Sequence, residues 1–466
     1  MKELNRRQFL YHTAGCATAA AISLTGCEIM PVEKIQTSEI TKTPNIIFIM
    51  ADDLGYGDLG CYGQKQIKTP NIDKLAAQGT RFTDCYAGST VCAPSRSVLM
   101  TGQHTGHTRV RNNMAKVGGT LVLDNGEPQR RLPLELQDIT IAEILKQAGY
   151  VTGITGKWGL GEPENNGIPN RQGFDEWFGY LNQRRAHTYF PPYLWHNEEK
   201  QIFEGNAKGL REKYSHDMFT DFALDFIKRH SKELFFLYLP YTIPHARYEI
   251  PSIEPYSDKT WPFEAKVHAA MITRMDTDIG RIMALLKELA IDNDTLVFFC
   301  SDNGAVQRWE GIFDSSGPLR GKKTELYEGG IRTPMIVRWP GKVLAGQTSN
   351  AVWYFADIMP TLAKLAGIRP PSNIDGINIL PNLLGKEQNT DDRFLYWEFL
   401  TKDFEQAVRW RNYKAIRHAP GKPLELYDLS KDIAEEHNIA TENLKIVAKF
   451  EDYLKTARTY SPNWPN

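Results

Sequence analysis

A chain of 466 residues is long enough for one large core with a smaller one attached. Its hydrophobic content of 41% and charged content of 24% are ordinary for a soluble globular protein, and it carries no internal repeat or low-complexity tract. A net charge of −1, with no large basic block, gives no electrostatic case for nucleic acid.

The N-terminus reads as a targeting segment and is set apart from the fold. Arg6-Arg7-Gln8-Phe9-Leu10 is a twin-arginine pattern, an alanine-rich apolar run follows, and the run ends in Leu24-Thr25-Gly26-Cys27. That ending is similar to a bacterial lipobox, in which the cysteine becomes the lipidated first residue of the mature protein. The run is too short to span a bilayer, and no other stretch is long enough. The expectation is a signal peptide over 1–27 and a polar tether over 28–43. The protein is then exported to the periplasm or outer membrane, touching the membrane only through a lipid on Cys27. Of the six cysteines, Cys16 leaves with the signal, and Cys61, Cys85, Cys92 and Cys300 remain with the fold. A Cys61–Cys85 bridge fits an oxidising compartment, but the spacing does not decide the pairing of Cys61, Cys85 and Cys300.

From Pro44 on, strand-length apolar runs alternate with helical patterns, which predicts an α/β fold with a large, mostly parallel sheet flanked by helices. Asn45–Met50 is a continuous apolar run, as in a strand buried on both faces, and Asp52-Asp53 follows it. Ser89–Gly102 then places a thiol, Cys92, two residues before Pro94, with Ser95 and Arg96 immediately after. Proline suits a first helical turn, so Cys92 is expected at or just before a helix N-terminus, where backbone N–H groups favour an anion. Arg96, one turn in, offers a fork of donors suited to a tetrahedral oxyanion. A lone cysteine is most often a small buried hydrophobe; these neighbours point instead to a nucleophile beside an anion site.

Thr140 can cap a helix over Ile141–Gln147 with Gly149 as its stop, and Val151–Thr155 follows as a strand leading to Gly156-Lys157-Trp158. Leu234–Leu239, Thr295–Cys300 and Met335–Trp339 are further strands, and Phe263–Leu289 carries a long helical stripe. Arg369-Pro370-Pro371 and the polar stretch Lys386–Arg393 predict a boundary between a catalytic domain over 44–385 and a smaller α+β domain over 386–466. That second domain is expected to end in a helix near Leu444–Thr456.

Ligands of open parallel sheets bind outside the carboxyl ends of the strands. The residues just past four predicted strands are Asp52 and Asp53, Lys157, His245, and Asp302 with Asn303. Asp-Asn-Gly alone is a turn signal and paired aspartates often cap helices, but the set reads as one shared site. The oxygen donors Asp52, Asp53, Asp302 and Asn303 select a hard cation, Ca²⁺ or Mg²⁺, over zinc.

The pattern Cys-x-Pro-Ser-Arg-x-x-x-(Leu/Met)-Thr-Gly, matched in full from Cys92 to Gly102, resembles the signature of the type I sulfatases, in their cysteine-type bacterial form. Asp357-Ile358-Met359-Pro360-Thr361-Leu362, Asp375-Gly376 and Leu426-Tyr427-Asp428-Leu429 extend the resemblance over nearly the whole mature chain. It implies an alkaline-phosphatase-like fold and hydrolysis of a sulfate ester. A maturation enzyme would oxidise Cys92 to formylglycine, whose hydrate attacks sulfur, and collapse of the resulting ester would regenerate the aldehyde. The resemblance assigns Ca²⁺ to Asp52, Asp53, Asp302 and Asn303, contact with the nucleophile's oxygen and the sulfate to Lys157, and protonation of the leaving group to His245. Counting back from Tyr327-Glu328-Gly329-Gly330 assigns the second sulfate-binding lysine to Lys323, not Lys322. With Arg96 these cations form a clamp on the sulfuryl oxygens.

One position departs from the pattern. Many relatives read Gly-Lys-Trp-His-Leu-Gly, and their histidine serves as the base that expels sulfate; here Gly159 takes its place. His187 is the substitute candidate. Together with Gln183 and Arg185 it belongs to a loop whose cationic, amide and aromatic groups suit a sulfated sugar. Trp309 and Arg308 are weaker candidates for the pocket wall, and His104, His107 and His216 are expected to be structural. The expected substrate is a sulfated mono- or oligosaccharide. The alternatives are a phosphomonoester or phosphonate hydrolase, and a non-catalytic lipoprotein that binds sulfated glycans.

Overall fold

In the computed structural model, Asn45–Ala51 forms the middle of a ten-stranded sheet, and its unbroken apolar run explains why. Alternate side chains of a strand leave opposite faces. Ile46, Phe48 and Met50 enter one core, while Ile47, Ile49 and Ala51 enter the other. Phe235–Pro240 and Thr295–Ser301 flank this strand in parallel. Beyond the first, Val151–Lys157 and Glu176–Tyr180 continue in parallel, and Tyr193–His196 and Glu199–Ile202 finish that side antiparallel. On the other side lie Met335–Arg338, Thr80–Phe82 and Gln347–Ser349. The structure describes residues 42–124, 127–306, 309–400 and 403–465. The expectations for the signal segment, Cys16, Cys27, nearly all of the tether, and Arg308 lie outside the described residues.

Helices cover both faces. Cys92–Thr101, Ile141–Gln147 and Ile358–Ala366 pack into the first core; Pro70–Ala77, Ser215–Arg229 and Phe263–Glu288 pack into the second. Thr140 caps its helix through a reciprocal pair with Glu143. A four-stranded antiparallel sheet, Phe394–Leu400, Phe404–Trp410, Tyr413–Arg417 and Glu425–Asp428, follows, with the helix Leu444–Leu454. One set of its side chains, Tyr396, Val408 and Leu426, packs with Phe450 of that helix. The other set, Leu395, Trp397, Ala407 and Ile416, joins the first core of the large sheet. Among the described residues, no helix is long and apolar enough to cross a membrane.

Cys61, Cys85, Cys92 and Cys300 are all free thiols, so the Cys61–Cys85 bridge is not formed. The reason is positional: Cys85 is buried in the first core, whereas Cys61 packs against the second.

Candidate active site

The strand ends that carry the polar residues are tied to one another by their own backbone. Asp302 N donates to Ala51 O at 3.1 Å, Asp52 N to Ile243 O at 3.1 Å, and Tyr241 N to Met50 O at 2.9 Å. Asp53 adopts a left-handed conformation (φ 65°), which Asp tolerates better than most residues, and turns the chain as it leaves the sheet. Cys92 is the first residue of a wholly buried helix whose end is closed by Gly102 at φ 69°, with Gly102 N bonded to Val98 O at 2.9 Å. Ala93 N at the start of that helix donates to Asn113 Oδ1 at 2.9 Å.

These elements converge on one buried cluster. Lys323 Nζ donates to Cys92 Sγ at 3.3 Å and to Asp53 Oδ1 at 2.5 Å. The Cys92 thiol faces Asp52 Oδ1 at 3.4 Å, and Lys157 Nζ donates to Asp52 Oδ2 at 2.6 Å. Asn303 Nδ2 reaches Asp53 Oδ1 at 2.7 Å, and Asp53 N donates to Asp302 Oδ1 at 3.2 Å. Lys323 is therefore in the cluster, while its neighbour Lys322 is exposed. Arg96 is fully buried, but its donors are engaged: Nε and Nη2 hold Asp302 Oδ2 at 3.1 and 2.7 Å, and Nη1 holds Lys157 O at 2.5 Å. Its geometry fixes a carboxylate and the lysine backbone rather than presenting an open fork.

Burial pushes the Cys92 thiol up to about 12, against the pull of Lys157 and Lys323. At neutral pH the thiol is protonated and is a weak nucleophile. Burial also opposes the charge on Asp52, but Lys157, His245, Arg96 and Lys323 together hold it well below the usual carboxylate range. Asp302 moves the other way, pushed up to about 6 by burial and by the nearby Asp52. Asn303 Oδ1 is buried with no hydrogen-bond partner. Crowded carboxylates and an orphaned amide oxygen are the donor set that a hard divalent cation fits.

His245 Nδ1 faces Ala246 O at 3.0 Å and Nε2 faces Asp53 Oδ2 at 3.2 Å. Both nitrogens thus meet acceptors, a setting in which the ring can carry a proton, while burial lowers its hold on that proton despite Asp53. The contacts on both nitrogens fix the ring's orientation, which is what a group that hands a proton to a leaving group needs. His187 stacks on His245 with ring centroids 3.8 Å apart, and its Nε2 is buried without a partner. Burial, followed by His245 and Lys157, keeps the His187 ring neutral.

Of the other sequence candidates, Gln183 is buried over Gly159. A Cβ at position 159 would lie 2.9 Å from Gln183 Oε1, and Gly159 itself sits at φ 80°. A small cavity open to solvent lies beside it, lined by Ala93, Asn112, Asn113, Arg131, Gly159 and Glu162. Arg185 is not brought to the cluster; it is exposed and lies over Tyr193. Trp309 packs with Tyr248, His268 and Phe313 rather than beside Cys92. His104 and His107 pair with Asp375, and His216 with Asp278, away from the cluster. Two roles escaped the sequence reading. Asn113 fixes the helix start, and the buried Tyr189 hydroxyl donates to Thr242 O and His245 O at 2.9 and 2.7 Å, holding the His245 segment. Nothing local in the sequence marks either role.

The sulfatase family model matches residues 44–368, and the model for the C-terminal part of N-sulphoglucosamine sulphohydrolase matches residues 321–459. The chain is 33% identical to human arylsulfatase A over 450 residues, covering 86% of this chain and 84% of that protein. It is 34% identical to N-acetylgalactosamine-6-sulfatase of Canis lupus familiaris over 394 residues, 80% of this chain and 72% of that protein. Among solved structures, Ps i-CgsB in complex with k-i-k-neocarrahexaose superposes with a TM-score of 0.78 at 28% identity, covering 91% of this chain and 95% of that one. With the mixed sheet, the smaller C-terminal sheet and these matches together, the chain belongs to the sulfatase family and is a sulfuric ester hydrolase of the alkaline-phosphatase-like fold.

Proposed function

We propose that this enzyme releases inorganic sulfate from a sulfated carbohydrate, using formylglycine made from Cys92 by a maturation enzyme and Ca²⁺ held by Asp52, Asp53, Asp302 and Asn303. The observation that carries the reading is Lys323 Nζ spanning Cys92 Sγ and Asp53 Oδ1, with Lys157 on Asp52 beside it. Once present, the hydrated aldehyde supplies an oxygen nucleophile where a protonated thiol is inert, and the cation polarises a sulfate oxygen.

The chain's own groups do the rest. Lys157 and Lys323 bind sulfate oxygens and neutralise the charge that develops on them. Arg96 keeps Asp302 and the Lys157 backbone in register. His245, held between Ala246 O and Asp53, gives a proton to the departing sugar oxygen. His187 Nε2, buried and unpartnered against His245, accepts the proton that must leave the nucleophile's second hydroxyl for sulfate to be expelled. If so, His187→Ala releases about one alcohol per protein and then stalls; steady turnover with equal sulfate release would remove His187 from this role.

The carbohydrate assignment is supported by the relatives: one is named for N-acetylgalactosamine-6-sulfate, and Ps i-CgsB was solved with a neocarrahexaose. Export and lipidation at Cys27 are supported by the twin-arginine and lipobox patterns; labelled palmitate should enter the protein and be lost in Cys27→Ala. The central test is peptide mass spectrometry across Cys92 in protein from its native envelope, with sulfate release from a panel of sulfated sugars. An aldehyde or its hydrate at position 92 is expected. A free thiol there, or faster turnover of an aryl phosphate than of the matched sulfate, overturns the proposal.

A further inference from the structure

A second cavity, open to solvent, lies beside the Cys92 cluster and not on it. Its lining includes Asn182, Arg185, Thr188, Tyr193 and Trp195. Glu176–Tyr180 runs parallel to Val151–Lys157 and pairs Tyr180 with Lys157, so its carboxyl end reaches the same edge as the catalytic lysine. Tyr193–His196 runs antiparallel to it, pairing Gly179 with Trp195, so Tyr193 begins that strand at the same edge. The cavity wall thus stands two strand positions outboard of Lys157, about 10 Å at the usual strand spacing. A single turn, Arg185–His187, joins the two places: His187 stacks on His245, while Arg185 lines the cavity.

The chemistry of this wall is specific. The Arg185 guanidinium lies 5.4 Å from the centroid of the Tyr193 ring, and Lys200 Nζ lies 5.0 Å from Tyr193 and 5.3 Å from Trp195. Among the described residues, neither cation has a carboxylate partner. Two uncompensated cations over two half-buried aromatic rings offer a stacking face for a sugar and charge for an anionic substituent.

We infer that this cavity is a subsite for an anionic sugar unit neighbouring the one that loses its sulfate, so the substrate is an oligosaccharide with repeated anionic groups rather than a monosaccharide. The inference rests on the sulfated-carbohydrate reading above. Isothermal titration of the full protein reads it without turnover. The probes are a tetrasaccharide sulfated on every unit, one alternating uronate with sulfated sugar, and an otherwise neutral one with a single terminal sulfate. At least one multiply anionic probe is expected to bind about tenfold or more tighter than the singly sulfated one, and which of them does so tells sulfate from carboxylate. Lys200→Ala and Arg185→Gln, both on exposed side chains that leave the core untouched, should each erode that gain, and Tyr193→Ala should abolish it. Equal binding of all three probes, or a gain untouched by these substitutions, overturns the subsite. Aryl sulfate turnover measured in the same preparation reports separately on the sulfatase chemistry, so a protein that binds as expected yet turns over nothing would fail that reading and keep this one.

Discussion

The Cys92 cluster sets three carboxylates, Asp52, Asp53 and Asp302, against three cations, Arg96, Lys157 and Lys323. A second cluster, between the large sheet and the C-terminal sheet, sets Asp84, Glu328 and Glu435 against Arg332, Arg409 and Lys414. Their charge tallies are the same, so charge balance does not distinguish them. Pairing does. Lys414 sits between Glu328 at 3.0 Å and Glu435 at 2.9 Å, Arg332 between Asp84 at 2.9 Å and Glu328 at 3.0 Å, and the Tyr86 hydroxyl adds a bond to Glu328 at 2.7 Å. No cavity opens on this network among those described above. Lys414 Nζ, Glu328 Oε1 and Glu435 Oε1 miss hydrogen-bond geometry but are ion-paired to one another through the lysine. Around Cys92, by contrast, Asn303 Oδ1, His187 Nε2 and Gln183 Oε1 have neither a hydrogen bond nor an ion pair, and a cavity abuts the nucleophile's helix. A buried network that is closed fixes the packing of two sheets, whereas one left open waits for a ligand.

The largest expected effect is at the nucleophile. Cys92→Ala should lower kcat/KM on a sulfated substrate on the order of 10⁴-fold or more while leaving Tm close to that of the parent. Retention of more than a small fraction of activity in a protein free of contaminating sulfatase would show that position 92 is not the reacting group.

The next comparison crosses the two clusters. Lys323→Ala should cost activity about 10²- to 10³-fold with a small change in stability, because it removes a donor aimed at developing charge. Lys414→Ala should do the reverse, costing about 3–5 kcal/mol by leaving Glu328 and Glu435 buried without their cation, with kcat per folded molecule unchanged. Urea unfolding and initial rates on the two variants check both limbs. Equal stability losses would erase the distinction between an open and a closed network.

How much of this was legible beforehand follows from the length scale of each signal. Asn45–Met50 could be read as a buried central strand because its pattern is local and long, and the same holds for Phe263–Glu288. Thr80–Phe82 is a strand of three residues, and Glu176–Tyr180 carries a glycine one residue from its end, so neither announces itself. In the site, the residues that follow the strands were visible because a parallel sheet gathers its carboxyl ends. Arg96 was visible too, but not its commitment to Asp302, which lies 206 residues away. The roles of Tyr189 and Asn113, and the partition of Cys61 and Cys85 between two cores, arise only from the three-dimensional path of the chain.

The closed network should also show in the pH dependence of stability. Burial pushes Glu435 up to about 7 in the folded state, from an ordinary value of 4.5, with Lys414 opposing and Glu328 adding to the rise. A group whose folded value is raised contributes stability in its protonated form, so that contribution is complete below about 4.5 and is lost as pH rises through about 7. Glu328 is displaced the opposite way, to about 2, where burial is outweighed by Lys414 and Arg332, so its contribution is already present throughout that window. Tm should therefore decline between those two pH values in the parent and decline less in Glu435→Gln. An unchanged slope would remove Glu435 as its source.

The smallest effect tests how the open cluster accommodates the absence of a histidine at position 159. Gly159 sits at φ 80°, where a side chain is strained, and a Cβ there would meet Gln183 Oε1 at 2.9 Å. Gly159→Ala should therefore cost about 1–2 kcal/mol through the backbone alone, with a further contribution from the contact. Gln183→Ala removes the contact but not the backbone strain, so the double variant should recover part of the loss and no more. A double-mutant cycle by urea unfolding separates the two parts. A coupling energy indistinguishable from zero would mean that Gln183 does not fill the place over Gly159. A clear coupling would mean that glycine at 159 and glutamine at 183 form one structural unit, one that a histidine restored at 159 could enter only with Gln183 displaced or shortened.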